Sequence, residues 1–229
     1  MRHIALTLSG LIGAFAIPTA ATAETVDWSG WYASAFAGYA DAKLLSDAGH
    51  SSTTTILDDN GFMTGVAVGY RKQSESNIVI GGELIIPLYM EKGRAVDHVY
   101  FPGQVFYEAK GKFGIMASGH VGIATGNMLP YVFGAAGIAR VEGRTLNIDP
   151  SENLVIGYVQ KAKATPFMWQ LGAGVDVQAS PHIVIGARTA LFRIERADYT
   201  MPWNNDGNPN QFGMSSAYGQ LSLTYRFGH

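Results

Sequence analysis

The sequence contains no cysteine among its 229 residues. Disulfide bonds are therefore excluded, and the fold must rely on packing and backbone hydrogen bonds. Charged residues make up only 15% of the chain, whereas soluble domains usually contain about 25%. The formal net charge of −2 gives no indication of a nucleic-acid partner.

Long apolar runs are also missing beyond the N-terminal segment, so no membrane-spanning helix is predicted there. The chain is nevertheless 47% hydrophobic and contains 28 glycines and 11 tyrosines. A chain this apolar with no helical span is either a soluble β-sandwich or a transmembrane β-barrel. The alternation of residue types along the chain distinguishes the two.

The N-terminus has the three parts of a secretory signal peptide. A basic start at Arg2 precedes a largely apolar run over residues 4–17, and an A-x-A cleavage site ends at Ala23. The apolar run is shorter than the ~20 residues that a spanning helix needs, which disfavours a membrane anchor. We therefore predict that residues 1–23 are removed on export and that residues 24–229 form one domain.

Period-two alternation marks eight segments of the remaining chain. In residues 106–125 every charged residue falls on one face, and in residues 167–178 large apolar residues alternate with glycine and polar residues. A face that mixes small and long side chains suits a narrow lumen better than the outside of a sandwich. The predicted strands are residues 31–39, 61–72, 78–90, 106–125, 129–141, 167–178, 183–193 and 218–227.

The connections between these segments alternate in length. The long ones are residues 41–60, 91–105, 143–165 and 197–212, and the short ones are residues 73–77, 126–128 and 180–182. Long outer loops alternating with short periplasmic turns are typical of transmembrane barrels. The prediction is an all-β, eight-stranded antiparallel up-and-down transmembrane β-barrel with both termini in the periplasm. Pro87 lacks an amide hydrogen, which predicts a bulge or a lost ladder bond in the third strand.

Four stretches resemble the small outer-membrane β-barrel family of alphaproteobacteria, which is related to OmpA-like transmembrane domains and opacity-type surface proteins. They are Trp-Ser-Gly-Trp-Tyr at 28–32, Leu-Pro-Tyr-Val-Phe-Gly at 129–134, Gly-Ala-Gly-Val at 172–175 with Ser-Pro at 180–181, and Leu-Ser-Leu-Thr-Tyr-Arg-Phe at 221–227. The resemblance implies contact with outer-membrane lipid and lipopolysaccharide, and recognition of the last strand by the barrel-assembly machinery. We expect no separate peptidoglycan-binding domain like that of longer OmpA-type proteins.

The ionisable residues on the inward faces are expected to pair, because an unpaired buried charge costs several kcal/mol. The expected lumen network comprises Arg71, Glu83, Glu108, Lys110, Lys112, His120, Arg140, Glu142, Asp176, Arg188 and Arg226. Eight strands leave an interior that side chains can just fill. A plug is therefore favoured over a narrow pore for small solutes, and the pore stays an alternative.

The outward faces are expected to carry residues that contact lipid or lie in aromatic girdles. Aromatic residues near strand ends, Trp28 among them, are assigned to girdles, because such residues are typical of the two membrane–water interfaces. The predicted lipid-facing and girdle residues are Trp31, Tyr131, Trp169, Leu171, Ile185, Leu223, Tyr225 and Phe227.

Ser118 and His120 lie two positions apart on the predicted lumen face of the fourth strand, ~7 Å along it. Serine and histidine beside a carboxylate are the residues of a hydrolase. An inward-facing pair is poorly placed to reach acyl chains, so we favour a polar lumen pair. We predict no catalytic residues, and a lipid-modifying enzyme is the least favoured function.

Two predicted loops have a composition that suits either metal binding or tight turns. Residues 58–61 and 203–210 are rich in Asp, Asn and Gly, but they lack the spacing of a calcium loop and equally suit tight turns. His50 and His98 are single candidate ligands for a metal or haem. We predict no metal and no cofactor. The predicted function is a non-catalytic surface protein that supports the envelope or contacts a host or ligand through four outer loops.

Overall fold

The computed structural model describes the backbone of residues 26–48, 51–90, 92–96, 105–149, 154–155, 160–199 and 210–227. Side chains are described for residues 26–41, 61–88, 114–142, 163–196 and 213–227. In these parts of the chain, no helix is long and apolar enough to cross a membrane.

Eleven β-strands lie in the described residues. They are β1 (Gly30–Ala48), β2 (Ser51–Gln73), β3 (Ile78–Met90), β4 (Lys92–Val96), β5 (Val105–Ile123), β6 (Met128–Asp149), β7 (Leu154–Val155), β8 (Gln160–Ala164), β9 (Phe167–Gln178), β10 (Ile183–Tyr199) and β11 (Asn210–Phe227). Strand β4 continues β3, because both pair with β5. Likewise β8 continues β9, because both pair with β6.

The sheet closes on itself into a barrel. Strand β1 pairs with both β2 and β11, and the remaining neighbours are β2–β3, β3–β5, β5–β6, β6–β9, β9–β10 and β10–β11, all antiparallel. The prediction of a closed, eight-stranded antiparallel β-barrel is confirmed. In this ring β3 lies opposite β10, and β2 lies opposite β9.

Tight turns join the strands at one end of the barrel, close to where they were predicted. In the turn between β5 and β6, the amides of Thr125 and Met128 donate to each other's carbonyls at 2.8 and 3.0 Å. Gly126 has a φ of 58°, as a mirror-image hairpin turn requires at its first central position. Asn77 closes the β2–β3 turn with a φ of 62°, a conformation that asparagine tolerates better than most residues.

The hairpins at the other end extend much further than predicted. Residues 41–60 were expected to form a loop, but β1 and β2 stay paired from Asp41–Asn60 to Ala48–Ser51. Strands β5 and β6 likewise stay paired as far as Val105 and Asn147. An antiparallel ladder needs only backbone partners, so it continues where the apolar alternation of the side chains has already ended.

Alternate residues face opposite sides of the barrel wall. On β11, Leu221 and Leu223 are exposed, whereas Ser222, Thr224 and Arg226 are buried. The exposed band is apolar, as a surface in contact with lipid must be. The predicted outward residues Trp31, Leu171, Ile185, Leu223, Tyr225 and Phe227 are exposed, and Trp169 is partly exposed.

Exposed aromatic residues lie at both ends of this band. Trp31 and Tyr70 pack edge to face near the tight turns, with ring centroids 5.3 Å apart. Tyr39 and Phe62 are cross-strand partners toward the other end. Trp31 and Tyr39 are separated by ~26 Å along the strand. Because barrel strands are tilted, this separation corresponds to ~20 Å across the membrane, close to the height of a lipid-facing band.

On β6 the predicted orientation was wrong. Leu129, Tyr131 and Phe133 were assigned to the outside, but they are buried, while Arg140 is exposed. The inward aromatics occupy space that glycines leave on neighbouring strands. A Cβ on Gly174, for example, would lie 2.7 Å from the Tyr131 ring. Aromatic size on β6 therefore reflects filling of the lumen and not contact with lipid.

Pro87 lies at a β-bulge, as predicted. Thr64 pairs with Tyr89 but the next residue of β2, Gly65, pairs with Pro87, so one residue of β3 is left over. Since proline has no amide to donate to the ladder, a bulge accommodates it within a strand.

Candidate functional site

The centre of the lumen contains an ion pair that crosses the barrel. Arg188 on β10 donates from Nη1 to Oε1 of Glu83 on β3 at 2.5 Å, and from Nη2 to Oε2 at 3.2 Å. Both side chains are buried. Because β3 and β10 are opposite strands of the ring, this bidentate pair spans the width of the lumen.

A second ion pair crosses the lumen between another two opposite strands. Arg71 on β2 donates from Nη2 to Oδ2 of Asp176 on β9 at 2.6 Å, with both side chains buried. The Nε of Arg71 also donates to Nε2 of His120 on β5 at 3.2 Å. Each guanidinium thus has an anionic partner, which a buried charge requires.

Two tyrosines join the ion pairs into one network. The hydroxyl of Tyr131 accepts from Nε of Arg188 at 2.5 Å and donates to Oδ1 of Asp176 at 3.2 Å. The hydroxyl of Tyr32 donates to Oε2 of Glu83 at 2.9 Å. The resulting lumen network consists of Tyr32, Arg71, Glu83, His120, Tyr131, Asp176 and Arg188, one residue from each of seven barrel strands.

Aromatic rings pack against the two guanidinium groups of the lumen network. The Arg71 guanidinium lies 4.5 Å from the Tyr32 ring centroid, and that of Arg188 lies 5.3 Å from the ring of Phe133. Such cation–π contacts are strongest where the cation is removed from water. They fill space around the charges that water would otherwise occupy.

Glycines on neighbouring strands make room for the large members of the lumen network. A Cβ on Gly69 would lie 2.5 Å from the Tyr32 ring. A Cβ on Gly81 would overlap the His120 imidazole, and one on Gly186 would overlap the side chains of Asp176 and Ser222. The inward glycines therefore leave the space that a few large polar side chains occupy.

Adjacent glycines on β3 provide a test of this packing. Replacing Gly81 by alanine should destabilise the barrel by about 1–3 kcal/mol, because the new methyl group overpacks the lumen against His120. Gly82→Ala is the control, since its Cβ would meet nothing closer than 3.6 Å on the outer wall. The free energy of unfolding of the two variants in detergent should differ in this direction. Equal values would contradict the packing argument.

The mouth at the tight-turn end is closed by an apolar cluster around Trp28. Trp28 is only 1% exposed and packs with Val79, Leu129 and Val184, which are all fully buried. Its backbone amide donates to Oε1 of Gln73 at 2.8 Å, which holds the chain ahead of β1 across the opening. This turn-end plug adjoins the lumen network, because the Arg71 guanidinium lies 5.9 Å from the Trp28 ring centroid and Tyr131 belongs to the same buried cluster.

Arg226 on β11 joins the segment before β1 to the barrel wall at the same mouth. Its Nη2 donates to the carbonyl of Asp27, and its Nη1 donates to Oε1 of Gln178 at 3.0 Å. Its guanidinium also lies 5.7 Å from the Trp28 ring centroid. The last strand and the segment before the first strand thus stabilise each other beside the turn-end plug.

Ser118 and His120 are both buried and face the lumen. Nε2 of His120 accepts from Arg71, and Oγ of Ser118 has no hydrogen-bond partner within the described residues. A nucleophilic serine needs a hydrogen bond to its base, and the two side chains do not form one. The geometry is that of two lumen residues beside the charge network.

The structure places the other predicted site residues as follows. Tyr131 is inside the lumen and not in a lipid-facing girdle, and the Arg140 side chain is outside and not in the lumen. The side chains of Glu108, Lys110 and Lys112 lie outside the described residues, as do the structures at His50 and His98 and the side chains at 58–60 and 203–210. In the side chains that are described, no group of three or more His, Asp and Glu could hold a metal ion.

Sequence reasoning missed two residues of the site. Tyr32 was not singled out, although it alternates with the outward Trp31 and so must face inward. Trp28 was placed with the girdle aromatics, but it precedes β1 and folds over the lumen. The position of Trp28 before the first strand could have shown that it is not a girdle residue, because girdle residues lie on the strands of the barrel wall.

Comparison with known proteins agrees with the fold. Residues 7–227 match a family model described as the outer membrane protein beta-barrel domain. The chain is 27% identical over 172 residues to the 31 kDa outer-membrane immunogenic proteins of Brucella melitensis and Brucella suis, with coverage of 69% of this chain and 68% of each of those proteins.

One solved structure of an outer-membrane protein is similar in fold. The outer membrane protein OprG from Pseudomonas aeruginosa has a TM-score of 0.53 at 12% identity, covering 88% of this chain and 97% of that one. Neisserial surface protein A gives a TM-score of 0.42 at 17% identity, covering 87% and 98%.

Proposed function

The chain belongs to the outer membrane protein β-barrel domain family, and from this premise we propose that it is a non-catalytic envelope protein with a sealed lumen. Its barrel anchors the long hairpins at the cell surface, where they support envelope integrity or contact a host or ligand. Both termini lie in the periplasm. The residues up to 23 are removed on export.

The observation that carries this proposal is the pair of ion bridges between opposite strands. Arg188–Glu83 joins β10 to β3, and Arg71–Asp176 joins β9 to β2. A solute would have to displace a buried ion pair to pass, and leaving one buried charge without its partner costs about 3–5 kcal/mol. The turn-end plug adds a second barrier at the periplasmic mouth.

A passive pore is the competing function for a barrel of this family, and solute flux tests it directly. Liposomes that contain the purified protein should take up small sugars and ions no faster than protein-free liposomes. A large-pore porin, reconstituted in parallel, is the positive control, and heat-modifiable gel mobility checks that the protein is folded. Stable conductance well above the protein-free level would show that the lumen conducts and would refute the proposal.

The two unlike ends of the barrel support the proposed orientation. Short turns occupy one end and extended hairpins the other, which is the arrangement of bacterial outer-membrane barrels with periplasmic turns and extracellular loops. In this orientation the hairpins formed by β1 with β2 and by β5 with β6 lie at the outer face. These hairpins would make the contact with a host or ligand.

A further inference from the structure

A cleft opens on the outer wall where β8 gives way to β9. Pro166, between the two strands, has no amide hydrogen for the ladder, although its carbonyl still accepts from the amide of Ala139 at 3.0 Å. The cleft has a volume of about 330 Å³. It is lined by Ile138, Ala139, Arg140, Lys163, Ala164 and Thr165.

Two cations line this cleft. Arg140 and Lys163 are both exposed, and in the described part of the chain neither is paired with an acidic side chain. Glu142 is the cross-strand partner of Lys163, but it is only 9% exposed and engaged in an interaction of its own. The cleft therefore presents positive charge to whatever fills it, and Thr165 adds an exposed hydroxyl donor.

The cations lie just beyond the edge of the apolar band. Ile138 and Phe167 are cross-strand partners and are 48% and 51% exposed on the lipid-facing wall. They form the last pair of the β6–β9 ladder, at the end remote from the tight turns. Arg140 lies two positions beyond Ile138, and Lys163 lies four positions beyond Phe167. A cation there meets headgroups and not acyl chains, since charge is expelled from the hydrocarbon core.

We propose that this cleft binds a phosphate group of an outer-leaflet glycolipid, the phosphorylated lipid A part of lipopolysaccharide. A guanidinium and an ammonium around one cleft match a phosphate, which arginine engages with two parallel hydrogen bonds and lysine as a point charge. Ile138 and Phe167 lie where the acyl chains of the same molecule would run. A free phosphate ion would use the cations but gain nothing from the apolar pair.

This inference rests on the proposed orientation, which puts the cleft at the outer leaflet. The test does not depend on that orientation, because binding is measured on the purified full-length protein in detergent. Native mass spectrometry would compare bisphosphorylated lipid A with the same lipid after removal of its phosphates. The double variant Arg140→Gln with Lys163→Gln should bind bisphosphorylated lipid A at least tenfold more weakly than the wild type.

Lys72→Gln is the matched control, since Lys72 is an exposed cation at the opposite end of the barrel. It should bind bisphosphorylated lipid A as the wild type does, and heat-modifiable mobility should show that all variants are folded. Equal binding by the double variant, or equal binding of the dephosphorylated lipid, would overturn the proposal. So would displacement of the lipid by millimolar inorganic phosphate, which would indicate a site for the free anion. Solute flux through the lumen is independent of all these outcomes.

Discussion

The Glu83→Gln variant is expected to lose about 3–5 kcal/mol of folding free energy, the cost of leaving a buried guanidinium without its counter-ion. Arg188 would keep its charge while losing the carboxylate that it contacts through two hydrogen bonds. Tyr32 would lose a charged acceptor at the same time. Glutamine has nearly the shape of glutamate, so the loss reports charge and not a cavity.

Denaturant unfolding of the protein in lipid vesicles, followed by tryptophan fluorescence, measures this loss. The control is Glu195→Gln, which breaks the Arg193–Glu195 pair, whose side chains are 43% and 40% exposed. An exposed pair contributes about 0–1 kcal/mol, so this control should change little. A loss in Glu83→Gln no larger than in the control would show that the lumen pair is solvated and the barrel open.

The double variant Glu83→Gln with Arg188→Gln tests whether the two residues contribute to stability as a pair. Removing both charges avoids the uncompensated guanidinium, so the double variant should be more stable than Glu83→Gln alone. If Arg188→Gln instead lowers the free energy of unfolding by as much again, the two residues contribute independently. That result would mean that they do not form an ion pair across the lumen.

Trp28→Ala should cost a similar amount, about 3–5 kcal/mol, for a different reason. The indole is almost fully buried against Val79, Leu129 and Val184, and truncating a buried tryptophan leaves a cavity that the barrel wall cannot fill by collapse. Arg71 and Arg226 would also lose a cation–π partner. Unfolding in vesicles measures the change in stability.

Trp31→Ala provides the control within the same stretch of chain. Trp31 is 60% exposed on the outer wall and contacts the Tyr70 ring, a contact worth about 0.5–1.5 kcal/mol. It should therefore lose much less stability than Trp28→Ala. Solute flux should stay low in Trp28→Ala, because the lumen network still blocks the barrel. Equal losses in the two variants would mean that Trp28 does not close the mouth.

Alternation predicted correctly which residues of most strands face lipid. The reason is that lipid favours apolar side chains, whereas the lumen favours small or polar ones. On β9, Leu171 is exposed and Asp176 is buried, and each residue type matches one environment. On β6 the same rule assigned Tyr131 to lipid, since a large aromatic residue satisfies either side. The space that admits its ring is left by Gly174 on the adjacent strand β9. A single strand read alone does not contain that information.

The length of the hairpins could not be predicted from the alternation of side chains either. Ladder hydrogen bonds join backbone groups, so pairing of β1 with β2 continues through residues whose side chains show no period. The cleft beside Arg140 was missed for the same reason as Tyr131, because the reversed orientation of β6 put Arg140 in the lumen.

The sequence by itself determined the class of fold, because alternation, turn spacing and the lack of a long apolar run beyond the N-terminal segment together specify an eight-stranded outer-membrane barrel. Which charges meet was decided by tertiary structure alone. Glu83 and Arg188 are 105 positions apart, as are Arg71 and Asp176, and they become partners because ring closure and strand tilt bring opposite strands to the same height. Contacts across a lumen depend on that closure, and no local pattern of residues encodes it.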